Sequence, residues 1–136
     1  MKLLMIYCIE FGYTPRIKTL DEAETLTDTK IFKDVLVAFI QAEEVDEADL
    51  VGTETKLVKN LKWAAKKNET KNVLLHSFAH LSESKAGPEF TKELFDKTEA
   101  RMKNADYGCD QTAFGYFMDL NVQAPGYSQA RIFKSF

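Results

Sequence analysis

The stretch Asp34-Val35-Leu36-Val37-Ala38-Phe39-Ile40-Gln41-Ala42 decides the fold. It is nearly all apolar and rich in β-branched and aromatic residues, which is typical of a strand covered on both faces. Such a strand lies inside a sheet with other elements packed against it. The sequence therefore predicts a central β-strand over residues 34–43.

Further strands and helices are predicted on either side of this segment. Residues 2–9, 72–77 and 112–122 have the composition of strands. Apolar side chains recur at spacings of three, four and seven over residues 50–67, and a similar stripe runs along residues 88–104. This periodicity is typical of helices that bury one face.

The remaining segments predict connections. Residues 12–30 hold Pro15 and repeated Thr and Asp residues, which indicates a long surface loop. Residues 126–136 predict a short helix that packs Ile132, Phe133 and Phe136 on the core. The predicted fold class is α/β (α+β), with one domain over residues 1–136, a central sheet and packed helices.

Composition and charge exclude several classes of protein. The chain has 136 residues, of which 45% are hydrophobic, enough for one domain with its own core. A net charge of −3 provides no general attraction for a polyanion, so a nucleic acid would need a local basic patch. No stretch approaches the roughly 20 apolar residues of a membrane span. With two cysteines that fit reduced thiols, we expect a cytoplasmic protein that does not bind a membrane.

The loop Ser77-Phe78-Ala79-His80-Leu81-Ser82 is the first candidate for a site. It follows a predicted strand, and loops at strand ends present backbone groups and side chains to ligands. The imidazole of His80 can serve as a general acid or base. Alternatively, His80 caps the next helix or satisfies a polar group in the core.

Several other chemistries lack their motifs. The chain has no glycine-rich phosphate loop, no zinc-ligand spacing and no nucleophile elbow. The acidic residues at 43–49 lack the alternation and the glycine of a calcium loop. We therefore expect no metal and no cofactor. An enzyme built from these residues would depend on positioned backbone groups, one imidazole and the substrate's own hydroxyls.

Four blocks carry a resemblance to a known family: Lys2-Leu3-Leu4-Met5-Ile6-Tyr7, Val35-Leu36-Val37-Ala38-Phe39-Ile40, Phe78-Ala79-His80-Leu81-Ser82 and Ala113-Phe114-Gly115-Tyr116-Phe117. In order and spacing the chain resembles the N-terminal editing domain of archaeal-type threonyl-tRNA synthetases, a relative of the D-aminoacyl-tRNA deacylases. The resemblance implies that fold and the hydrolysis of serine mischarged onto the tRNA for threonine. It also implies that the partner is the 3′ end of an aminoacyl-tRNA. Whether the chain forms a homodimer is left open.

The resemblance also implies the residues of the site. His80 would be catalytic, while the terminal adenosine and the seryl group would be held largely by main-chain contacts. The implied substrate-binding positions are Ala42, Ser77, Phe78, Ala79, Phe114, Gly115, Tyr116, Phe117 and Met118.

Three positions depart from the family pattern. Met118 stands where the family usually has a lysine, and it cannot orient a water or stabilise an oxyanion. Near the end, Tyr127 and Arg131 stand where the family has a histidine and a glutamate. The sequence ends at Phe136, so we expect a freestanding, divergent member.

Three hypotheses follow. The first is a deacylase that edits mischarged tRNA in trans, favoured by the intact His80 loop. The second is a non-catalytic paralogue that binds aminoacyl-tRNA ends, an adenosine-like ligand or a protein partner, favoured by Met118. The third is a hydrolase of a different small ester.

Overall fold

The computed structural model describes residues 1–136. Six strands form one mixed sheet, and two long helices pack on it. In chain order the elements are β1 (Lys2–Lys18), β2 (Lys30–Gln41), α1 (Leu50–Lys67), β3 (Asn72–Ser77), α2 (Pro88–Asn104), β4 (Gly108–Gln111), β5 (Tyr116–Gln123) and β6 (Arg131–Ser135). Short 3-10 helices lie at Glu44–Ala48 and Ser128–Ala130.

The long strand β1 organises one side of the sheet. It pairs antiparallel with β2 along one edge, while β6 and β5 pair in succession along its other edge. On the far side of β2, strands β3 and β4 follow in parallel. The sheet order is therefore β4-β3-β2-β1, with β5 and β6 sharing the last position.

The prediction of a central strand is confirmed, since residues 35–41 of β2 are all buried. Leu36, Ala38 and Ile40 point into a core cluster under the two helices. Val35, Val37 and Phe39 point into a second cluster on the opposite face. Because both faces of this part of β2 are buried, its residues do not alternate between polar and apolar, and its sequence is continuously apolar.

Both predicted helices are confirmed, and each buries the apolar face expected from its periodicity. The start of α1 is fixed by Asp49, whose side chain accepts a hydrogen bond of 2.9 Å from the Gly52 N–H. Asp46 accepts a hydrogen bond of 2.7 Å from the Glu43 N–H at the preceding 3-10 helix.

The predicted loop over residues 12–30 is wrong in its first part. β1 continues to Lys18, and only residues 19–29 connect it to β2. Pro15 is tolerated because the pairing of β1 with β5 shifts register between Pro15 and Ile17, and because β2 stops pairing at Tyr13. A proline at such an irregularity does not break a ladder hydrogen bond.

Two predictions near the end of the chain also need correction. The strand predicted over residues 112–122 starts at Tyr116, because Thr112–Gly115 turn between β5 and the short strand β4. The segment predicted as a helix contains β6, whose side chains alternate between exposed and partly buried. Ile132 and Phe136 pack on the core as expected, whereas Phe133 is 54% exposed.

Candidate functional site

A pocket with a volume of about 490 Å³ lies where β2 and β3 end. Because these strands are parallel, with Ile40 opposite Ser77, their carboxyl ends meet at the same edge of the sheet. The turn before β5 and the first half of β5 close the other side. The structure brings all ten sequence-predicted residues together in this lining: Ala42, Ser77, Phe78, Ala79, His80, Phe114, Gly115, Tyr116, Phe117 and Met118.

His80 is an exposed residue of this lining. Its ring meets the Phe78 ring edge-on at 5.0 Å between centroids and lies nearly parallel to the Phe117 ring at 6.4 Å. Neither ring nitrogen has a hydrogen-bond partner in the protein, and the residue before α2 is Gly87. His80 therefore neither caps α2 nor satisfies a core group, and its imidazole is free to meet water or a ligand.

The loop after β3 is held in place by the buried side chain of Gln41. Its Nε2 donates to the carbonyls of Ser82 and Ser84 at 2.7 and 3.0 Å. Its Oε1 accepts from the N–H groups of Leu81 and Ser82 at 2.6 and 2.7 Å. These four bonds use the full capacity of the amide, so the His80 loop is tied to the central strand.

Glu43 makes a second connection to the same loop. Its carboxylate accepts a hydrogen bond of 2.7 Å from the Ser82 hydroxyl, and it forms ion pairs with the Met1 α-amino group at 2.7 Å and with Lys2 at 3.3 Å. Hydrogen bonds from the amino group, first, and from Ser82 lower the pKa of Glu43 to about 2. The carboxylate thereby joins the chain start to the loop.

This pKa predicts an acid-dependent contribution to stability. A carboxyl group with a lowered folded pKa stabilises the native state fully above about pH 4.5, and that contribution is lost as the pH falls through about 2. We expect the difference in urea midpoint between the unmodified protein and Glu43→Gln to be constant from pH 7 to about 5 and to shrink below about 4. A difference of equal size at pH 7 and at about pH 2.5 would contradict this role.

The aromatic wall is positioned by contacts outside the pocket. The Phe114 ring meets the Phe95 ring of α2 edge-on at 6.0 Å. The Tyr116 hydroxyl donates to the Glu24 carbonyl at 2.8 Å and accepts from the Leu26 N–H at 3.0 Å. Because this hydroxyl already has both partners, Tyr116 holds the connection between β1 and β2 and supplies the pocket with ring surface.

Gly115 has a structural reason to be glycine. Its φ is +82°, and a Cβ at this position would lie 3.1 Å from the Ala23 Cβ and 3.2 Å from the Leu20 Cδ1. Its carbonyl accepts a hydrogen bond of 2.8 Å from the Thr19 N–H. The segment that packs closely against Gly115 is therefore the connection between β1 and β2.

Gly115→Ala is expected to destabilise the fold by about 1–2 kcal/mol, since an L side chain is strained at positive φ. Thermal and urea unfolding measure the effect. Gly126→Ala is the matched control, because a Cβ there meets nothing within 4 Å. Equal stability of the two variants would contradict the constraint at Gly115.

The pocket also contains functional groups that the sequence did not single out. His76 is buried, and its Nδ1 lies 2.9 Å from the Thr112 Oγ1. Burial lowers the pKa of His76 to about 4, so this imidazole is neutral at pH 7. Lys85 supplies the one cationic side chain of the lining and forms no ion pair. Of these residues only His76 could have been noticed in the sequence, because it is a polar residue within an apolar strand.

Two of the three departures from the family pattern lie elsewhere. The Tyr127 hydroxyl donates to the Asn68 side chain at 3.2 Å, and the Arg131 guanidinium donates to the Pro125 carbonyl at 2.6 Å. Neither residue lines the pocket, whereas Met118 does. The chemistry of the pocket is therefore altered at one of these positions.

A wider groove of about 1050 Å³ opens beside the pocket and shares five lining residues with it: Leu20, Pro88, Thr112, Ala113 and Phe114. Its polar lining consists mainly of carboxylates and lysines, and it has no imidazole. No three residues among His, Cys, Asp and Glu are arranged to hold a metal ion anywhere in the structure. The smaller pocket contains both imidazoles of the chain, His76 and His80, and is therefore the better candidate for acid–base chemistry.

Fold and site together define an α+β domain with a pocket built from strand ends and loops. Residues 1–136 match the family model described as the archaea-specific editing domain of threonyl-tRNA synthetase, and the chain belongs to this family. The resemblance stated from the sequence is thus confirmed.

The curated relatives are full-length synthetases. The chain is 29% identical over 135 residues to the threonine–tRNA ligase of Thermococcus gammatolerans and 27% identical over 135 residues to that of Pyrococcus horikoshii. Each match covers 97% of this chain and 22% of the relative. The chain therefore spans about a fifth of the length of these relatives.

A solved structure supports the fold class. The c-Myc DNA unwinding element binding protein superposes with a TM-score of 0.68 at 12% identity, covering 100% of this chain and 99% of the other. At this identity the likeness concerns the fold alone, and the predicted α+β class is confirmed.

Neither helix is long and apolar enough to cross a membrane. Membership of the family supports a role in tRNA editing.

Proposed function

We propose that the pocket hydrolyses the ester between a small amino acid and the 3′ end of a mischarged tRNA, acting in trans, with seryl-tRNA for threonine as the main substrate. One observation carries the proposal: the nine substrate-binding residues that the editing-domain resemblance implies line a single pocket together with the imidazole of His80. The cytoplasm is the corresponding place of action.

Exclusion of threonine supplies the specificity. Serine and threonine differ by one methyl group, which a single binding step distinguishes by only about 1–3 kcal/mol. A second pocket that is too small for threonine adds a separate test. Such a pocket must not expand, and the hydrogen bonds of Gln41 to the His80 loop provide that rigidity.

The reaction needs a positioned water and a group that takes its proton. His80 accepts the proton, or the 2′-hydroxyl of the terminal ribose takes it up while passing its own proton to the leaving ribose oxygen, as the water oxygen bonds to the ester carbonyl carbon. The acyl–oxygen bond then breaks, and the leaving ribose oxygen takes up a proton. Backbone N–H groups and the Lys85 ammonium are the available groups to stabilise the oxyanion, since Met118 supplies no charge.

A deacylation assay tests the proposal against a panel of tRNAs charged with serine, threonine, alanine and glycine. We expect rapid release of serine from the tRNA for threonine and retention of threonine on the same tRNA. Release of another small amino acid at a higher rate would revise the substrate. Binding of these tRNAs without release of any amino acid would exclude hydrolysis and favour the non-catalytic hypothesis.

Met118 is the observation that favours this second function, in which the pocket binds an aminoacyl-tRNA end, an adenosine-like ligand or a protein partner. The variant Met118→Lys separates the two, because it restores a cation to a residue of the lining. We expect it to raise the deacylation rate at least about tenfold, part of the 10²–10³ that one oxyanion donor supplies.

Val122→Lys is the matched control, since it adds the same charge to β5 at an exposed residue outside the lining. A gain in Met118→Lys alone indicates a weakened editing site. If neither variant hydrolyses seryl-tRNA although both bind it, the pocket is a binding site. Hydrolysis of a different small ester, with no activity on any tRNA, would favour the third hypothesis.

A further inference from the structure

One face of α1 is strongly basic. The helix carries five lysines, and at 3.6 residues per turn all of them fall within an arc of about 140° that also contains Trp63. We call this surface the lysine face: Lys56, Lys59, Lys62, Trp63, Lys66 and Lys67. The only acidic residue of α1, Glu54, is buried and pairs with Arg101 at 3.0 Å. The lysine face therefore holds cations without carboxylates.

The two helices of the domain treat their lysines differently. On α2, Lys92, Lys97 and Lys103 each form an ion pair four residues away, with Asp96, Glu93 and Glu99. None of the five lysines of α1 takes part in any ion pair of the structure. The net charge of the chain is negative, so this concentration of cations is local.

Helix stability does not account for the lysine face. Lys66 and Lys67 lie in the last turn, where cations interact favourably with the helix dipole. Lys56, Lys59 and Lys62 lie earlier and stand three residues apart, where like charges repel and destabilise a helix. A sequence that disfavours its own helix in this way indicates a function for the charges.

The exposed indole adds a second type of contact. Trp63 is 44% exposed, and its ring has the ammonium groups of Lys67 at 5.7 Å and Lys134 of β6 at 4.9 Å. Lys134 thus extends the basic surface beyond the helix. An aromatic ring beside cations is typical of surfaces that contact nucleic acid, where rings stack on bases and cations meet phosphates.

The helix that carries the lysine face begins beside the pocket. The segment before α1 contacts the loop that borders the pocket, since the Glu44 N–H donates to the Ser84 hydroxyl at 3.0 Å and the Gly87 N–H donates to the Glu47 carboxylate at 3.2 Å. From there α1 runs for about 27 Å, at 1.5 Å per residue, towards the start of β3. A surface for RNA that begins at the pocket can therefore continue along this helix.

We propose that the lysine face binds the phosphodiester backbone of the tRNA whose 3′ end occupies the pocket. The inference rests on the proposed function for the identity of the RNA. It adds that affinity comes largely from a surface remote from the reacting ester. Phosphate contacts of this kind position an RNA without reading its sequence.

The test measures binding of uncharged tRNA for threonine by fluorescence anisotropy over a range of KCl concentrations. In the variant Lys56→Gln, Lys59→Gln, Lys62→Gln, we expect the slope of log Kd against log salt to decrease by about two to three, close to one for each lysine. Glutamine keeps a high helix propensity, so the fold is retained. The control variant Lys92→Gln, Lys97→Gln, Lys103→Gln changes the net charge equally and is expected to keep the original slope.

Three results would overturn the proposal: no binding of tRNA by the unmodified protein, an unchanged slope in the α1 variant, or equal decreases in both variants. Vesicles that contain phosphatidylserine test a membrane surface as the alternative partner. If the α1 variant loses vesicle binding but keeps unchanged tRNA binding, the proposal is also overturned.

Hydrolysis of seryl-adenosine, which lacks a phosphodiester backbone, separates this inference from the proposed function. Equal hydrolysis by the α1 variant and the unmodified protein supports a role in binding alone, and loss of it in the α1 variant overturns that role. A last outcome is that neither the unmodified protein nor the variants hydrolyse seryl-adenosine or seryl-tRNA, while the salt slope still falls only in the α1 variant. In that case the proposed deacylation is wrong, and the proposed binding of tRNA by the lysine face is supported.

Discussion

The variant His80→Ala is expected to hydrolyse seryl-tRNA about a hundred to ten thousand times more slowly than the unmodified protein. A positioned acid–base group contributes a factor of this size, and His80 is the one exposed imidazole of the pocket. Single-turnover deacylation with enzyme in excess measures the effect on the chemical step. The affinity for uncharged tRNA should change little.

The control for this variant lies in the same loop. Glu83 is exposed and forms neither an ion pair nor a side-chain hydrogen bond, so Glu83→Ala should retain full activity and stability. Because the His80 imidazole has no hydrogen-bond partner in the protein, His80→Ala should unfold at nearly the same temperature as the unmodified protein. A rate within twofold of the unmodified protein would remove His80 from the catalytic step.

The second large effect is expected from the substrate. Seryl-tRNA with a 2′-deoxy terminal adenosine should react at least about a hundredfold more slowly, because with Met118 in the lining the ribose hydroxyl and His80 are left to organise the water. The measurement is the same single-turnover assay, with each substrate corrected for its spontaneous hydrolysis.

Combining the two changes tests whether they act on one water. If the hydroxyl and His80 act together, His80→Ala on the deoxy substrate should lose less than the product of the two separate losses. Hydrolysis that is rapid and indifferent to both changes would refute the mechanism. Loss of binding to the deoxy substrate would instead assign the hydroxyl to recognition.

Sequence predicts the elements of this fold that are buried on both faces or on one regular stripe. β2 and β3 are apolar runs in the interior of the sheet, and α1 and α2 show clear helical periodicity, so their positions follow from composition and spacing. β6 is exposed along much of its length, and its five residues are too few to separate alternation from a helical pattern. β4, with four residues, is defined only by its pairing with β3.

The residues of the site also divide into those that could be predicted from the sequence and those that could not. The resemblance supplied the residues of the loop after β3 and of the start of β5, and the structure places them around one pocket. Gln41, His76 and Lys85 could not be assigned in advance, because their contribution depends on which strand ends meet and on what covers them. Gln41 looks in the sequence like the polar end of an apolar strand, yet it is buried.

Gln41 also determines how the loop that carries His80 can move. Most irregular surface segments open locally at little free-energy cost and exchange their amide hydrogens rapidly. Here the N–H groups of Leu81 and Ser82 bond to a side chain inside the core, and opening the loop would leave that buried amide without partners. We therefore expect the loop to belong to the cooperative folding unit of the central sheet, so that opening it costs more free energy than opening a surface segment without such bonds.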